Sequence, residues 1–180
     1  MGTDIHLAAE VYRDGGWHLA DVDLPENRNY VSFAVLADVR NGFGFAGYDT
    51  GDTISPISLP RGLPDDMSPE LLERMQARGD RWIWMGEHSQ SWVTLAELLS
   101  YDLDQPIILR GMVHPDEVER CRRTGEPPRG AVAWHRDPSW ERMEWEEPLR
   151  DNASLVVSLI DALMPLGEPS RVRIVFGFDC

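Results

Sequence analysis

The chain contains no lysine: its 17 basic residues are all arginine, set against 31 acids for a formal net charge of −14. This excludes the broad basic surface that releases counterions from nucleic-acid phosphates, and with it non-specific nucleic-acid binding. The missing lysine itself speaks of a GC-rich coding sequence rather than of a function. An acidic decoy that mimics DNA would need long acidic blocks, and only WERMEWEE at 140–147 is that dense. Cysteine is nearly as scarce. Cys121 and Cys180 lack the spacing of a zinc knot and read as two free thiols. No apolar run approaches the ~18 residues of a membrane helix. MGTDIHLAAE carries acids where a signal peptide has a basic n-region. A cytoplasmic protein with no membrane association is the expectation.

What the chain has is core material. Its 180 residues are 42% hydrophobic and include seven Trp, enough for one globular domain spanning 1–180 that buries roughly 70% of its unfolded surface. No internal repeat is visible. TDIHLAAEVY at 3–12 partly alternates, with Ile5, Leu7, Ala9 and Val11 on one face and Asp4, His6, Ala8 and Glu10 on the other. The DGG at 14–16 is turn chemistry leading to a returning strand over 17–22. A helix capped near Asn29 is expected to bury Tyr30, Phe33, Leu36 and Val39 and to end at Asn41-Gly42. Residues 42–62 read as a long Gly- and Pro-rich loop. Ser68-Pro69-Glu70 opens a helix over 69–78, and Thr94 with Glu97 forms a capping box for 95–101.

Farther along, 106–113 predicts a short strand, and HPDEVERCRRTG predicts a helix started at Pro115 and stopped at Gly125, with His114 as its cap. Residues 126–150 are expected to be irregular. A helix over 153–164, capped near Asn152, should bury Leu155, Val156, Leu159, Ile160 and Leu163. The cleanest strand is RVRIVFGFD, with Val172, Ile174, Phe176 and Phe178 on one face. The fold class that follows is α+β: an antiparallel sheet containing both terminal strands, three to five helices packed mainly on one face, and long irregular loops.

If the first and last strands pair antiparallel, Asp4 falls opposite Asp179, and the same register sets Glu10 opposite Arg173. A carboxylate facing a guanidinium is favourable; two facing carboxylates need a proton or a cation between them. Asp4, His6 and Asp179 then share one rim, and His88, in a loop braced by the capped helix, is the natural fourth member. Imidazoles with carboxylates suit a divalent ion such as Zn, Fe or Mn. The plainer alternative is a solvated Asp179 and a satisfied sheet histidine at His6. Arg28, Tyr30, Arg40 and Arg61 are candidates for binding an anion, since guanidinium forks grip carboxylate or phosphate; they serve equally well as braces for loop carbonyls. Ser89 or Ser91 beside His88 suggests a nucleophile, but adjacent residues rarely meet with the right geometry, and GxSxG is absent. Both serines read as loop-ordering residues and Trp92 as core. His18, His114 and His135 have no partner spacing.

Five segments in order, MGTDIHLAAEV, RNYVSFAVLADVRN, PISLPRGLPDDMS, HSQSWVTLAEL and VRIVFGFD, together resemble a family of uncharacterised small bacteriophage and prophage proteins. That family opens with G-x-D-I-H and ends in V-R-x-V-F-x-F-D. Here Thr3 precedes Asp4, Gly177 stands where an aromatic is usual, and Cys180 follows Asp179. The resemblance implies an accessory role in a phage or mobile-element setting, within the host cytoplasm if phage-encoded. The function expected is a small metal-dependent hydrolase. Asp4, His6, His88 and Asp179 would hold the metal, with His6 and His88 catalytic and the arginines binding a small anionic, phosphoester or nucleotide-like substrate. The alternative is a non-catalytic accessory binding protein, such as a host-defence inhibitor, that captures a nucleotide or a protein partner.

Overall fold

The computed structural model describes residues 2–79 and 82–179. Cys180 lies outside them. Among the described residues, a four-stranded antiparallel sheet is ordered β2-β1-β6-β3, with β1 at Asp4–Arg13, β2 at Gly16–Leu19, β3 at His88–Thr94 and β6 at Val172–Asp179. The two terminal strands lie side by side at its centre. Their register is the expected one, with Asp4 opposite Asp179 and Glu10 opposite Arg173. β6 has strands on both sides, and its residues from Val172 to Phe178 are all buried. That explains why it reads so cleanly as a strand.

The two faces of the sheet are covered differently. On the first, Ile5, Ala9, Ile174, Phe176 and Phe178 pack under α1 (Tyr30–Ala37), α3 (Leu95–Ser100) and α6 (Ser154–Leu163). On the second, Ala8 and Val175 pack beneath Leu71 of α2 (Pro69–Gln76) and beneath Met85. A second sheet pairs β4 (Pro106–Val113) with β5 (Glu141–Pro148). The helix α4 (Pro115–Thr124) follows β4, and a single turn, α5 (Leu149–Asn152), precedes α6. Among the described residues, no helix is long and apolar enough to cross a membrane.

Local chemistry sets most element ends. The Asn29 side chain accepts from Ser32 N–H at 2.7 Å, Ser68 from Leu71 N–H at 3.1 Å, and Thr94 and Glu97 complete the capping box. The His114 side chain accepts from Asp116 N–H, and Gly125 closes α4 in the left-handed region. The helix α1 stops earlier than expected. Asp38, at φ 61°, turns the chain and its N–H bonds Ala34 O. Residues 32–37 are all buried, and the one polar side chain among them is used: Ser32 Oγ accepts from Val156 N–H at 3.2 Å. Asn152 caps no helix; it lies in α5, with its Nδ2 on Glu147 Oε2 at 2.8 Å.

Two further expectations need correction. Residues 126–150 are not wholly irregular, because 141–148 form β5, whose alternation is hidden by charges at five of its eight positions. His88 is not in a loop; it is the first residue of β3, opposite Phe178. The 42–62 loop is irregular as expected, holding only a short turn at Phe45–Gly47. Its residues 50–52 run along β4, with Asp52 N–H on Ile108 O at 3.0 Å and Arg110 N–H on Thr50 O at 2.8 Å.

The second sheet face contains a buried ion pair. Arg173, 2% exposed, donates through Nε to Glu10 Oε2 at 2.8 Å. Its Nη1 reaches Asp66 Oδ1 at 2.7 Å, and the guanidinium lies 3.9 Å from the Trp17 ring centre. The other Glu10 oxygen accepts from Ser68 N–H at 2.7 Å. One cross-strand pair thus fastens the 66–68 turn, and α2 behind it, onto the sheet. Removing one member strands a buried charge, which costs about 3–5 kcal/mol. Arg173→Met should therefore lower unfolding free energy by roughly that amount in urea denaturation, and Glu10→Gln added to it should restore part of the loss. A loss below about 1 kcal/mol would show that the pair does not anchor the face.

Candidate functional site

At the rim where the chain's ends meet, the facing Asp4 and Asp179 carboxylates would repel one another without counter-charges. Each has its own. Arg28 clamps Asp4, with Nε on Oδ1 at 2.9 Å and Nη2 on Oδ1 and Oδ2 at 2.7 and 2.8 Å. Asp179 Oδ2 lies 3.0 Å from His6 Nε2, and its Oδ1 is within reach of Asp4 N–H at 3.3 Å. The His6 bond is the largest influence holding the Asp179 carboxyl below its usual pKa. It is opposed by burial and helped by Asp4 N–H and by the charges of His6 and His88.

His6 projects from the second sheet face, alternating with the core residues Ile5 and Leu7. Its ring tilts against Trp84, with centroids 4.7 Å apart, and Trp84 stacks on Trp82. The side chain is nevertheless 29% exposed. This is an imidazole oriented by a carboxylate at one nitrogen and by an indole at its plane, still open to solvent. Among the described residues, no group hydrogen-bonds its Nδ1.

On the first face, the buried Thr3 links two other candidates. Its N–H donates to the Tyr30 hydroxyl at 3.3 Å, and its Oγ1 accepts from Arg40 Nε at 2.9 Å. The Arg40 guanidinium lies over the Tyr30 ring at 5.6 Å. Edge-on aromatic contacts run from Tyr30 to Phe33 and on to Phe178, against which the His88 ring stacks at 6.1 Å. Tyr30 and Arg40 also line a crevice of about 80 Å³ between α1, β4 and the 42–54 loop.

Asp4, His6, Arg28, Tyr30, Arg40, His88 and Asp179 are thus brought to one end of the sheet, but to different faces of it. His6 and His88 flank Asp179 from opposite sides. Asp4 is turned toward Arg28, and among the described residues no three His, Cys, Asp or Glu side chains converge as metal ligands. Arg61 makes its contacts elsewhere. It braces the open edge of β3, forked onto Glu97 at 2.6 and 3.2 Å and lying 4.8 Å from the Trp92 ring centre. Ser91 is structural, its hydroxyl accepting from Arg61 N–H at 3.1 Å. Thr3, Trp82 and Trp84 were not picked out from the sequence; the alternation in RWIWM was the signal that the two indoles share a side. The chain matches no protein-family model, no curated protein and no solved structure.

The His6–Asp179 bond has a pH signature. Because the folded pKa of Asp179 lies below the ordinary 3.8, folding favours its charged form. That contribution is complete above the ordinary value and disappears as pH falls below it. Asp179→Asn should therefore be less stable than the parent chain at neutral pH, with the gap closing as pH falls below the ordinary carboxyl value. Equal thermal midpoints at neutral pH would show that the pair contributes nothing to folding.

Proposed function

We propose that this rim is the active site of a small hydrolase acting on an anionic, phosphoester or nucleotide-like substrate, with His6 as the proton-transfer group. The observation that carries the reading is His6 itself, a solvent-open imidazole held by Asp179 and Trp84. Fixing a ring this way sets both its orientation and its tautomer. Paired with a carboxylate that stays ionised, the imidazole is stabilised when it takes a proton. Arg28 supplies the anion contact. It spends Nε and Nη2 on Asp4, and its Nη1 bonds no described residue, so a phosphate oxygen can be met without breaking the Asp4 clamp. Arg40 and Tyr30, beside the crevice on the other face, offer a second contact for a base or sugar.

A Zn, Fe or Mn ion would need Asp4 to leave Arg28 and Asp179 to leave His6, so the reading is built on the imidazole and routes no step through a metal. The phage-like motifs suggest where such an enzyme works, as an accessory protein in a host cytoplasm.

One observation favours a second reading, a non-catalytic accessory protein that captures a protein partner. Phe43, Phe45, Tyr48, Val132 and Trp134 are all exposed, and Tyr48 stacks on Trp134. Exposed aromatics of this kind are the usual anchors of protein interfaces.

A phosphoester panel that includes p-nitrophenyl phosphate separates the two. For the hydrolase, His6→Ala should lower kcat by about 10²–10⁴-fold while circular dichroism and substrate binding stay unchanged. Turnover that survives in His6→Ala, or no turnover of any phosphoester by the parent chain, would contradict the reading.

A further inference from the structure

Extended backbone sends neighbouring side chains to opposite faces, so a histidine and the serine that follows it do not meet in a regular strand. At the start of β3 they do. Ser89 has φ 51°, in the left-handed region that a serine rarely adopts. The ladder slips at the same place: His88 is opposite Phe178 and Ser91 is opposite Phe176. Ser89 and Gln90 therefore face the single residue Gly177, which makes a bulge. The turn brings Ser89 Oγ to 2.9 Å from His88 Nδ1.

Gly177 is what allows this. A Cβ there would stand 1.8 Å from the Met85 carbonyl oxygen and 3.1 Å from Gln90 Cγ, so a side chain at 177 would push the 85–90 segment off β6. The bulge thus depends on this glycine. The His88 ring is held by its stacking on Phe178, with planes 23° apart. Ser91 shows the contrast, since it is buried and committed to Arg61. Ser89 is only half-buried, and its Oγ lies within hydrogen-bond distance of an imidazole nitrogen.

We propose that Ser89 is the nucleophile of this site and His88 its general base. The proposal rests on the hydrolase reading for its substrate class and adds a covalent step. Ser89 Oγ bonds to phosphorus while its proton passes to His88 Nδ1. The bond from phosphorus to the leaving oxygen breaks, and that oxygen takes a proton from the His6 imidazolium. Water then adds to the phosphoserine phosphorus, giving its proton to His6. The Oγ–P bond breaks, and Ser89 takes back its proton from His88 as phosphate leaves. A strained hydroxyl next to a base is the arrangement such a step needs.

Labelling of the whole protein with an alkyl fluorophosphonate tests this without knowledge of the substrate. In that reaction the Oγ–P bond forms, the P–F bond breaks, fluoride departs and His88 takes the proton. The expected result is a single adduct by intact mass, mapped to Ser89. It should be absent in Ser89→Ala and in Ser89→Gly, the latter relieving the left-handed backbone, and about a hundredfold slower in His88→Gln. No adduct on the folded parent chain, or an adduct that persists in Ser89→Gly, overturns the proposal. Labelling at Ser89 in a chain that turns over no phosphoester keeps the nucleophile and removes the hydrolase reading. Turnover that survives in Ser89→Gly keeps the hydrolase and removes the nucleophile.

Discussion

Pairing of the first strand with the last is the constraint on which the rest of this molecule depends. Antiparallel ladders leave no freedom once one pair is set, because a slip of one residue would turn every side chain to the other face. Here the hydrophobic faces of β1 and β6 must both meet α1, α3 and α6, and that single requirement fixes the opposite face as well. Glu10 then stands beside Arg173, and Asp4 beside Asp179. The first pair is favourable and buried, and it ties down α2. The second is unfavourable as it stands, so the chain supplies Arg28 and His6 as separate hydrogen-bonding partners. Anchor and candidate site are two consequences of one register, six residues apart along β1.

The polar face shows how a sheet covered on both sides can still present chemistry. Toward its middle, Arg173 is enclosed by Glu10, Asp66 and Trp17 and has no spare capacity. Toward the rim, the covering segment narrows to the indoles of Trp82 and Trp84, and His6 stays open. Gly86 and Gly177 let this segment cross the end of β6. A Cβ at Gly86 would come within 2.4 Å of the Phe178 carbonyl oxygen. Close crossing of the backbone places Glu87 N–H on Phe178 O and sets up the bulge that turns Ser89.

Much of the framework was legible in the sequence because its signals are local. Ser68, Thr94 with Glu97, Asn29 and Gly125 mark helix ends through bonds to backbone groups a few residues away. β6 alternates without interruption, and β1 alternates well enough for the register with β6 to be worked out in advance. What was not legible depends on distant partners. β5 carries charge at most positions and becomes a strand only because β4, some thirty residues earlier, offers a free edge. β3 is polar and bulged, so its alternation is broken where it matters. Asp4, His6 and Asp179 could be gathered by counting along two strands. That Arg28 would clamp Asp4, that Trp84 would hold His6, and that Arg61 would turn to Glu97 are contacts with no local pattern to betray them.

The central claim is that the rim built by the two ends of the chain is where a small anion binds. The five histidines report on it directly: His6 and His88 lie at the rim, and His18, His114 and His135 lie elsewhere. Titration with p-nitrophenyl phosphate, followed through the histidine ring signals by NMR, is the most direct measurement. Shifts of His6 and His88 with a common Kd, while the other three stay still, are the expected result. Shifts confined to His18, His114 or His135, or none at saturating ligand, would contradict it.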